Sequence, residues 1–314
     1  MDYVSGWCKS KRTLDGYTVV ITGGNTGIGK ETAIDLFKRG ARVILACRDI
    51  TKTEKAKEDI LKEMNAEHKG SVAVEKLDLS SLKSVRECAL RILANEPKIN
   101  ILINNAGVMM TPKNTTQDGF EIHIGTNHFG HALFTLLLLP RILETAESTP
   151  ARIVTVASFA HIFSNFDFND VNIENSFYLP AKAYSRSKAA NILFSRALHL
   201  KLREHNIQNV NTYSLHPGTV GTELGRDFDK TIFFGTTWLF NNVIRWFIRS
   251  PRSGAQTTIY CAIDEACDNE SGLYYDNCAV SRTYWQCRND AAALKLWNLT
   301  LEKLELQDPF ATKN

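Results

Sequence analysis

The sequence of 314 residues lacks the features that mark several classes of protein. It has only 8 prolines and 18 glycines, with no low-complexity tract and no repeat, which excludes a disordered, collagen-like or coiled-coil chain as the main structure. No stretch reaches the ~18 apolar residues that a membrane-spanning helix needs. The N-terminal segment MDYVSGWCKSKR has no apolar run of the kind that signal peptides contain. We therefore expect a cytoplasmic protein with neither a signal peptide nor a transmembrane anchor.

Paired cysteines and blocks of like charge are also missing. The seven cysteines are odd in number, widely spaced and free of any C-x-x-C pair, which argues against a disulfide framework and against a metal site. Lysine and arginine number 37 against 34 aspartates and glutamates, a net charge of +3 without a basic cluster. This balance does not favour nucleic acid as a partner. We expect a small-molecule ligand instead.

Short β-branched runs alternate with longer helical patterns along the chain. The runs predict strands at 18–22, 42–47, 71–77, 99–104, 152–158 and 209–215, and the patterns predict helices near 27–39, 52–66, 81–95, 119–145, 181–204, 252–264 and 290–305. Apolar strands separated by helices are typical of a parallel sheet buried on both faces. We therefore predict an α/β fold, a single doubly wound parallel-sheet (Rossmann) domain over 1–314, with its core at 16–218, an irregular segment at 219–252 and a C-terminal region at 253–314.

The first strand runs directly into a glycine-rich turn, GGNTGIG (23–29), that opens the first helix. Gly23 and Gly27 allow the backbone to turn closely around a pyrophosphate, and Gly29 allows the helix to pack closely on the strand. The N-terminus of the helix adds N–H groups and partial positive charge. The turn predicts a dinucleotide site, and a tight turn without a ligand is the alternative.

The end of the second strand indicates which dinucleotide binds. An acidic residue there would bind the adenosine ribose of NAD. Here Cys47 ends the strand and Arg48 follows it, with Lys52 one helical turn later. Because a guanidinium is always charged and forms forked hydrogen bonds to phosphate, Arg48 favours the 2′-phosphate of NADP(H). The alternative is a surface ion pair of Arg48 with Asp49 or another acid.

Two Tyr-x-x-x-Lys pairs occur, Tyr178…Lys182 and Tyr184…Lys188. Pro180 lies inside the first pair and predicts that this pair straddles the start of a helix. The second pair lies within the helical pattern, where residues i and i+4 share one face. Tyr184 and Lys188 are therefore expected to point into one site.

Such a pair suits the proton transfer of an alcohol–carbonyl interconversion. A free tyrosine has a pKa of ~10, too high for a base at neutral pH. A unit charge ~4 Å away, at an effective dielectric constant near 20, contributes ~4 kcal/mol, which corresponds to roughly three pKa units. We therefore expect Lys188 to lower the pKa of Tyr184 towards 7. Ser158, at the carboxyl end of the strand 152–158, would donate a hydrogen bond to the reacting oxygen.

Taken together, the motifs resemble the classical short-chain dehydrogenase/reductase family. The matching segments occur in the family's order: TGGNTGIG (22–29), LDLS (77–80), NNAG (104–107), Asn127, Ser158, Tyr184…Lys188 and Pro217-Gly218. The resemblance implies a catalytic set of Asn127, Ser158, Tyr184 and Lys188, in which Asn127 holds a water that links Lys188 to solvent. With Arg48 and Lys52, it also implies a cofactor site formed by Gly23, Asn25, Thr26, Gly27, Ile28, Gly29, Asp78, Leu79, Asn105, Ala106, Gly107, Tyr184, Lys188, Pro217 and Gly218.

Longer segments resemble the retinol dehydrogenase 11–14 group within that family. They are 25–33, 41–49, 101–110, 118–131, 216–224 and 272–298. The resemblance implies interconversion of retinol and retinal with NADP(H), in agreement with Arg48, and a segment at 219–252 that covers the substrate. Group members often carry an N-terminal hydrophobic anchor, which is not evident ahead of the first strand here.

Two aromatic segments are expected to surround the substrate. The loop 159–183 is long and rich in phenylalanine, so it would line an apolar pocket or else pack on the core. The segment 231–249, with Arg252 just beyond it, carries aromatic residues at near-helical spacing together with Arg245 and Arg249. We expect it to contact a membrane peripherally, for instance at the cytosolic face of the endoplasmic reticulum. Core packing or a subunit contact is the alternative.

Other conspicuous residues receive structural roles. The apolar run 134–140 is too short to span a membrane and predicts a buried helix end or a homodimer contact. His128, His131 and His216 are not spaced to share a metal with an acid or cysteine, so we expect no metal site there. Met109-Met110 would line the pocket or the core.

The sequence therefore predicts an NADP(H)-dependent oxidoreductase that interconverts a lipophilic alcohol and its aldehyde or ketone, with retinol and retinal as first candidates. One alternative keeps the enzyme and changes the substrate to a steroid, a farnesol-type alcohol or a xenobiotic carbonyl. The other is a non-catalytic NADP(H)-sensing module. The intact Ser158, Tyr184 and Lys188 argue against a sensor, which has no need of a proton donor.

Overall fold

The computed structural model describes residues 6–64, 69–218 and 249–311. Within them, eight strands form one sheet. The strands are β1 (Thr18–Thr22), β2 (Arg42–Cys47), β3 (Ser71–Lys76), β4 (Ile101–Asn104), β5 (Ala151–Val156), β6 (Val210–His216), β7 (Leu273–Asp276) and β8 (Ala279–Val280).

The helices begin where local chemistry favours them. Asp49 accepts a hydrogen bond from the backbone N–H of Lys52 and so caps the second helix, while Pro180 starts the sixth with a backbone angle suited to a first helical turn. The helices are α1 (Gly27–Lys38), α2 (Ile50–Leu61), α3 (Leu82–Asn95), α4 (Ile122–Ile124), α5 (Gly130–Ala146), α6 (Pro180–Glu204), α7 (Pro251–Ile263) and α8 (Asp290–Lys303). A π-helical turn (Gly125–Phe129) joins α4 to α5.

The strand order is β3-β2-β1-β4-β5-β6-β7-β8, and all neighbours are parallel except β7 and β8. The order reverses between β1 and β4, so the carboxyl ends of these strands form the crevice in which doubly wound folds bind ligands. The predicted Rossmann fold is confirmed. The prediction of six strands is wrong in number, since the short strands β7 and β8 at one side of the sheet were missed.

Apolar residues cover both faces of the sheet. Along β1, Val20 faces one core together with α3, α5 and α6, whereas Val19 and Ile21 face a second core together with α1 and α7. All three side chains are fully buried. This arrangement explains why the central strands are apolar at nearly every position.

Helix α8 packs against α6 and belongs to the core that contains α3, α5 and α6. The Trp297 ring is fully buried and stacks on Phe194, with centroids 5.6 Å apart and planes at 14°. Thr300 Oγ1 lies 2.9 Å from Nε2 of His128, which is also buried. The run 134–140 is largely buried inside this layer, so the predicted burial is confirmed, but the run lies in the middle of α5 and not at a helix end.

One helical stretch among the described residues, Ile122–Ala146, is long and apolar enough to cross a membrane by length and composition alone. The sequence expectation of no such stretch is therefore wrong by this criterion. However, 72% of its most apolar window is buried within the fold, as in the core helix of a globular protein.

Candidate active site

The glycine-rich turn follows β1 and leads into α1 as predicted. Gly23 and Gly27 have φ angles of +66° and +52°, a region that residues with a side chain rarely adopt. A Cβ atom on Gly29 would lie 2.3 Å from the Gly23 carbonyl oxygen, so only glycine permits this close packing of helix on strand. Thr26 caps α1 without a side-chain hydrogen bond to the helix. The turn thus presents N–H groups and a hydroxyl at the crevice.

Thr22 ties the glycine turn to the loop after β4. Its Oγ1 accepts hydrogen bonds from the backbone N–H groups of Asn105 and Ala106 at 2.9 and 3.0 Å. The Asn105 side chain donates in return to the Thr22 carbonyl at 2.9 Å. The Thr22 hydroxyl lies 2.8 Å from Nε2 of His131 and can donate to it. The ends of β1 and β4 are therefore held at a fixed separation.

Asn127 lies in the π-helical turn and is fully buried. Its Oδ1 accepts from the Val108 N–H at 2.8 Å, and its Nδ2 donates to the Val108 carbonyl at 3.0 Å and to Ser187 Oγ at 2.9 Å. Its backbone carbonyl accepts from His131 Nδ1 at 2.9 Å. The helix irregularity places Asn127 against both the β4 loop and α6, and π-turns of this kind are frequent at functional sites.

Helix α6 brings Tyr184 and Lys188 to the end of β5. The Lys188 Nζ donates to the Val156 carbonyl at 2.9 Å and lies 5.8 Å from the centroid of the Tyr184 ring. Ser158, two residues beyond β5, interacts with the Tyr184 hydroxyl. A Cβ on Gly107 would lie 3.1 Å from Asn127 Oδ1 and 3.5 Å from Lys188 Nζ. The four predicted catalytic residues therefore lie around one point beside the glycine turn.

The electrostatics of this pair differ from the sequence expectation. Burial raises the pKa of Tyr184, and the hydrogen bond with Ser158 only partly offsets this effect. Burial also lowers the pKa of Lys188 to about 8. The expected lowering of the Tyr184 pKa towards 7 is therefore wrong for this structure. The reason is that burial disfavours the charged phenolate, while the Lys188 ammonium is bonded to the Val156 carbonyl.

The first Tyr-x-x-x-Lys pair does not form a site, as predicted. Leu179 has an extended backbone and Pro180 starts α6 between Tyr178 and Lys182. The Tyr178 hydroxyl instead donates to Glu121 Oε1 at 3.1 Å.

Arg48 lies at the carboxyl end of β2 with an exposed side chain. Among the residues that the structure describes, it makes no ion pair or side-chain hydrogen bond. Asp49 is occupied as the cap of α2, where it accepts from the Lys52 N–H at 3.0 Å. The alternative of an Arg48–Asp49 surface pair is therefore not what the structure contains. Lys52 is exposed next to this end of the strand.

Other predicted cofactor residues lie along the same crevice with different surroundings. Asp78 Oδ1 accepts from the backbone N–H and the hydroxyl of Ser80 at 3.0 and 2.7 Å. Asn25 Nδ2 donates to Thr53 Oγ1 at 3.1 Å. Leu79 and Ile28 are buried at 6% and 7% exposure, so their side chains pack in the core.

Pro217 and Gly218 follow β6 and lie beside Arg249. Gly218 has φ +84°, and a Cβ there would lie 2.7 Å from Arg249 Cδ. The Arg249 guanidinium also donates to Asn277 Oδ1 at 3.4 Å, and Arg252 lies 5.9 Å from the centroid of the Trp7 ring. Both arginines thus have contacts within the protein, but Arg252 is exposed, and their contact with a membrane stays a prediction. Residues 231–248 lie outside the described part of the chain.

The aromatic loop after Ser158 divides into two parts. Phe166 is buried at 3% exposure, so the core-packing alternative holds for it. Phe159, Phe163 and Phe177 are 54%, 72% and 82% exposed, and Phe159 lies 6.2 Å from the His216 ring at the end of β6. These three rings leave apolar surface exposed in the loop that follows Ser158.

His128 and His131 are buried within the fold. Burial lowers the pKa of His131 to about 4 and that of His128 to about 3, so both are neutral at physiological pH. All seven cysteines are free. In the described ranges no group of histidine, cysteine or carboxylate side chains could hold a metal ion.

Two features were not predicted from the sequence. Glu121 and His123, at the start of α4, are 2% and 0% exposed and hydrogen-bonded to each other at 2.7 Å. The only signal in the sequence was an acid and a histidine two residues apart at the beginning of an apolar helix. A cavity of about 720 Å³ lies elsewhere, between the 118–120 turn, the 168–175 loop and α8, and none of the predicted catalytic or cofactor residues lines it.

The residues present fit a dinucleotide. Side chains are absent where the backbone must approach it, at Gly23, Gly27 and Gly107, and the exposed Arg48 follows β2 at the same edge of the sheet. The hydroxyl, phenol and ammonium of Ser158, Tyr184 and Lys188 adjoin the same crevice. This arrangement can move a proton to or from an oxygen beside a bound nicotinamide.

Comparison with known proteins agrees with this chemistry. The chain matches the short chain dehydrogenase family over residues 17–232. It is 45% identical over 302 residues to retinol dehydrogenase 11 of Homo sapiens, covering 96% of this chain and 90% of that protein. It is 41% identical over 312 residues to retinol dehydrogenase 13 of Homo sapiens, covering 98% and 91%. A crystal structure of an uncharacterized protein from Mycobacterium paratuberculosis superposes with a TM-score of 0.75 at 32% identity, covering 97% and 100%.

The family match covers more than half of the chain, and the relatives align over nearly all of it. The relatives with which it aligns are retinol dehydrogenases. The chain therefore belongs to the short chain dehydrogenase family and is an alcohol–carbonyl oxidoreductase that uses a nicotinamide cofactor.

Proposed function

We propose that this protein is an NADP(H)-dependent oxidoreductase that interconverts a lipophilic alcohol and its aldehyde or ketone, with retinol and retinal as the first substrates to test. The observation that carries the proposal is the convergence of Ser158, Tyr184 and Lys188 beside the glycine turn. The names of the relatives support retinol as the alcohol.

The proposed roles follow from the positions of the side chains. A bound nicotinamide supplies or accepts the hydride. In carbonyl reduction, Tyr184 gives its proton to the substrate oxygen, and Ser158 donates a hydrogen bond to that oxygen. Lys188 provides positive charge that stabilises the phenolate left on Tyr184. Asn127 anchors the Val108 backbone and α6 to each other, and so keeps Lys188 and the β4 loop in place.

The preference for NADP(H) rests on Arg48. Its guanidinium is exposed at the end of β2 without a protein partner in the described ranges, and the neighbouring carboxylate of Asp49 is engaged as a helix cap. A free guanidinium at this position suits a 2′-phosphate, and an engaged Asp49 is a poor ligand for a ribose hydroxyl.

The proposal of a lipophilic substrate is supported by the exposed rings of Phe159, Phe163 and Phe177 in the loop that follows Ser158.

We propose that 219–252 covers the substrate within a single domain over 1–314. We further propose peripheral contact of 231–249 with a membrane, at the cytosolic face of the endoplasmic reticulum, and a homodimer as a state to be tested. Nucleic acid has no part in this function.

The test is a substrate panel with purified protein. NADPH or NADH is combined with all-trans-retinal, a ketosteroid, farnesal or hexanal, and oxidation is followed at the nicotinamide absorbance band. The expected result is turnover of retinal with NADPH, and preference for the steroid or farnesal would select that alternative. No turnover of any of the four, with NADPH binding intact, would contradict the enzyme and support the sensor.

A further inference from the structure

A buried polar cluster adjoins the ring of Tyr184. It consists of Glu121, His123 and the hydroxyl of Tyr178. Glu121 Oε1 receives hydrogen bonds from His123 Nδ1 at 2.7 Å and from Tyr178 at 3.1 Å. Its Oε2 accepts from the backbone N–H groups of His123 and Ile124, both at 3.0 Å. The Glu121 carboxylate thus accepts four hydrogen bonds, two on each oxygen.

These contacts fix the protonation of the imidazole. The second ring nitrogen of His123, Nε2, accepts from the backbone N–H of Thr111 at 3.2 Å, and Thr111 Oγ1 lies 3.1 Å from it. Because a backbone N–H can only donate, Nε2 carries no proton, and the proton lies on Nδ1 towards Glu121. His123 is therefore a neutral ring with one donor and one acceptor, each engaged.

The loop held by His123 contains a strained residue. Met110, directly before Thr111, has φ +55°, which is unfavourable for a side-chain-bearing residue. The two ends of this short loop are both held by buried side chains. Val108 is bonded to Asn127 Oδ1 at 2.8 Å, and Thr111 is bonded to His123. Asn127 and the buried cluster thus hold the Met109-Met110 loop at its two ends.

The cluster also touches the proposed proton donor. The His123 ring meets the Tyr184 ring edge to face, with centroids 6.3 Å apart and planes at 68°. On its other side, Tyr178 connects the cluster to the residues before α6, where exposed Phe177 lies. Hydrogen bonds of this cluster therefore join the Met109-Met110 loop to the aromatic loop, and the ring contact of His123 adds Tyr184 to them.

We propose that Glu121, His123 and Tyr178 are positioning residues that fix the Met109-Met110 loop against Tyr184 and thereby determine which substrates reach the proton donor. This inference rests on the proposed function of the same site. None of the three exchanges a proton in the reaction, since each is engaged in a fixed hydrogen bond. A long rigid substrate depends on the placement of that loop more than a small aldehyde does.

The test compares His123→Phe and Tyr178→Phe with His199→Asn as a matched control. Phenylalanine at 123 keeps an aromatic edge on Tyr184 but removes both hydrogen bonds of the ring. His199 also forms a side-chain hydrogen bond, to Ser271 at 2.9 Å, but it lies away from the site. We expect the ratio of kcat/KM for all-trans-retinal to kcat/KM for hexanal to fall at least tenfold in the two cluster variants, mainly through KM for retinal. The control should keep the wild-type ratio, and KM for NADPH should change less than twofold in all three.

A second measurement does not depend on activity. Hydrogen exchange of the Thr111 amide should be at least tenfold faster in His123→Phe than in wild type, and unchanged in His199→Asn. A substrate ratio within twofold of wild type, or unchanged Thr111 exchange, would overturn the inference. If wild-type protein reduces none of the substrates, the proposed function fails. The exchange result still decides whether His123 holds the Met109-Met110 loop through Thr111. Tyr178→Phe removes one hydroxyl from a half-buried ring, so it decides the question if His123→Phe does not fold.

Discussion

The ammonium of Lys188 lies 5.8 Å from the centroid of the Tyr184 ring and donates to the carbonyl of Val156 at 2.9 Å. Both side chains are buried, and burial shifts their pKa values towards the neutral forms, upwards for the phenol and downwards to about 8 for the amine. Tyr184 therefore holds its proton at neutral pH, which is the form that carbonyl reduction needs. The charge of Lys188 is the more sensitive of the two to pH near neutrality.

The pH dependence of reduction should report this charge. Lys188 is charged below about pH 8 and neutral above it, so kcat/KM for carbonyl reduction is expected to fall as pH rises through 8. The pKa of Lys188 in the folded protein lies below its unfolded value of ~10.4, so Lys188 adds stability as pH rises. The fall in kcat/KM is therefore not due to unfolding caused by Lys188. Initial rates from pH 6 to 10, with circular dichroism at each pH, make the measurement. A rate that stays flat to pH 10 would contradict the role of the Lys188 charge.

Cofactor choice should depend on Arg48. Arg48→Ala removes a forked, charge-assisted hydrogen bond to the 2′-phosphate, a loss of ~1.5–3 kcal/mol or roughly ten- to a hundredfold in NADPH affinity. NADH affinity should not change, since NADH has no phosphate there. Titration of both cofactors by fluorescence tests this, with Lys55→Ala, an exposed lysine on α2, as the control. Equal loss for both cofactors, or a wild-type enzyme that uses NADH as well as NADPH, would refute the assignment.

Glu121 should stabilise the fold in a pH-dependent way. Burial raises its pKa, but the hydrogen bonds donated by the His123 ring and by two backbone N–H groups outweigh burial, so the net shift is downwards. The stabilisation is present above the unfolded pKa of ~4.3 and is lost as pH falls through the lower folded pKa. Glu121→Gln should therefore lower the free energy of unfolding at pH 7 by ~1.5–3 kcal/mol, with a smaller difference near pH 3.5. Urea unfolding at both pH values measures it, and an equal difference at both would show that the carboxylate charge is not responsible.

The sequence was sufficient to predict the parts of the site that depend on local pattern. The glycine turn needs its residues in consecutive positions, and Tyr184 and Lys188 share a helix face because they are four residues apart. The apolar runs likewise predicted six strands, which are all present. These features follow from steric and periodic rules that act over a few residues.

What the sequence could not predict depends on contacts between distant residues. The strands β7 and β8 are four and two residues long, and β7 is recognised only by its pairing with β6 and β8. His123 gains its role from Thr111 and Tyr178, which no spacing rule connects to it. The pKa of Tyr184 depends on how deeply α6 buries the ring, and an estimate from one charge at an assumed distance omits that burial.

Membrane contact through 231–249 is a further testable prediction. Trp246 and Phe247 could bury apolar area at ~25 cal/mol per Å², and Arg245 could add up to ~1 kcal/mol on an anionic surface. We expect partial sedimentation with anionic liposomes, reduced by salt, by neutral lipid and by replacing Trp246 and Phe247 with serine. Wild-type protein that stays wholly in the supernatant at low salt would exclude this contact.

The most direct measurement is reduction of all-trans-retinal with NADPH by wild-type protein and by Tyr184→Phe, with NADPH affinity determined for both. The substitution keeps the buried ring and removes the phenol proton. We predict that the variant binds NADPH as wild type does and loses turnover by ~10²–10⁴-fold, the range typical of a general acid. Tyr17→Phe, distant from the crevice at the start of β1, should retain full activity. Near-normal turnover by Tyr184→Phe would contradict the proton-donor role on which the proposed function depends.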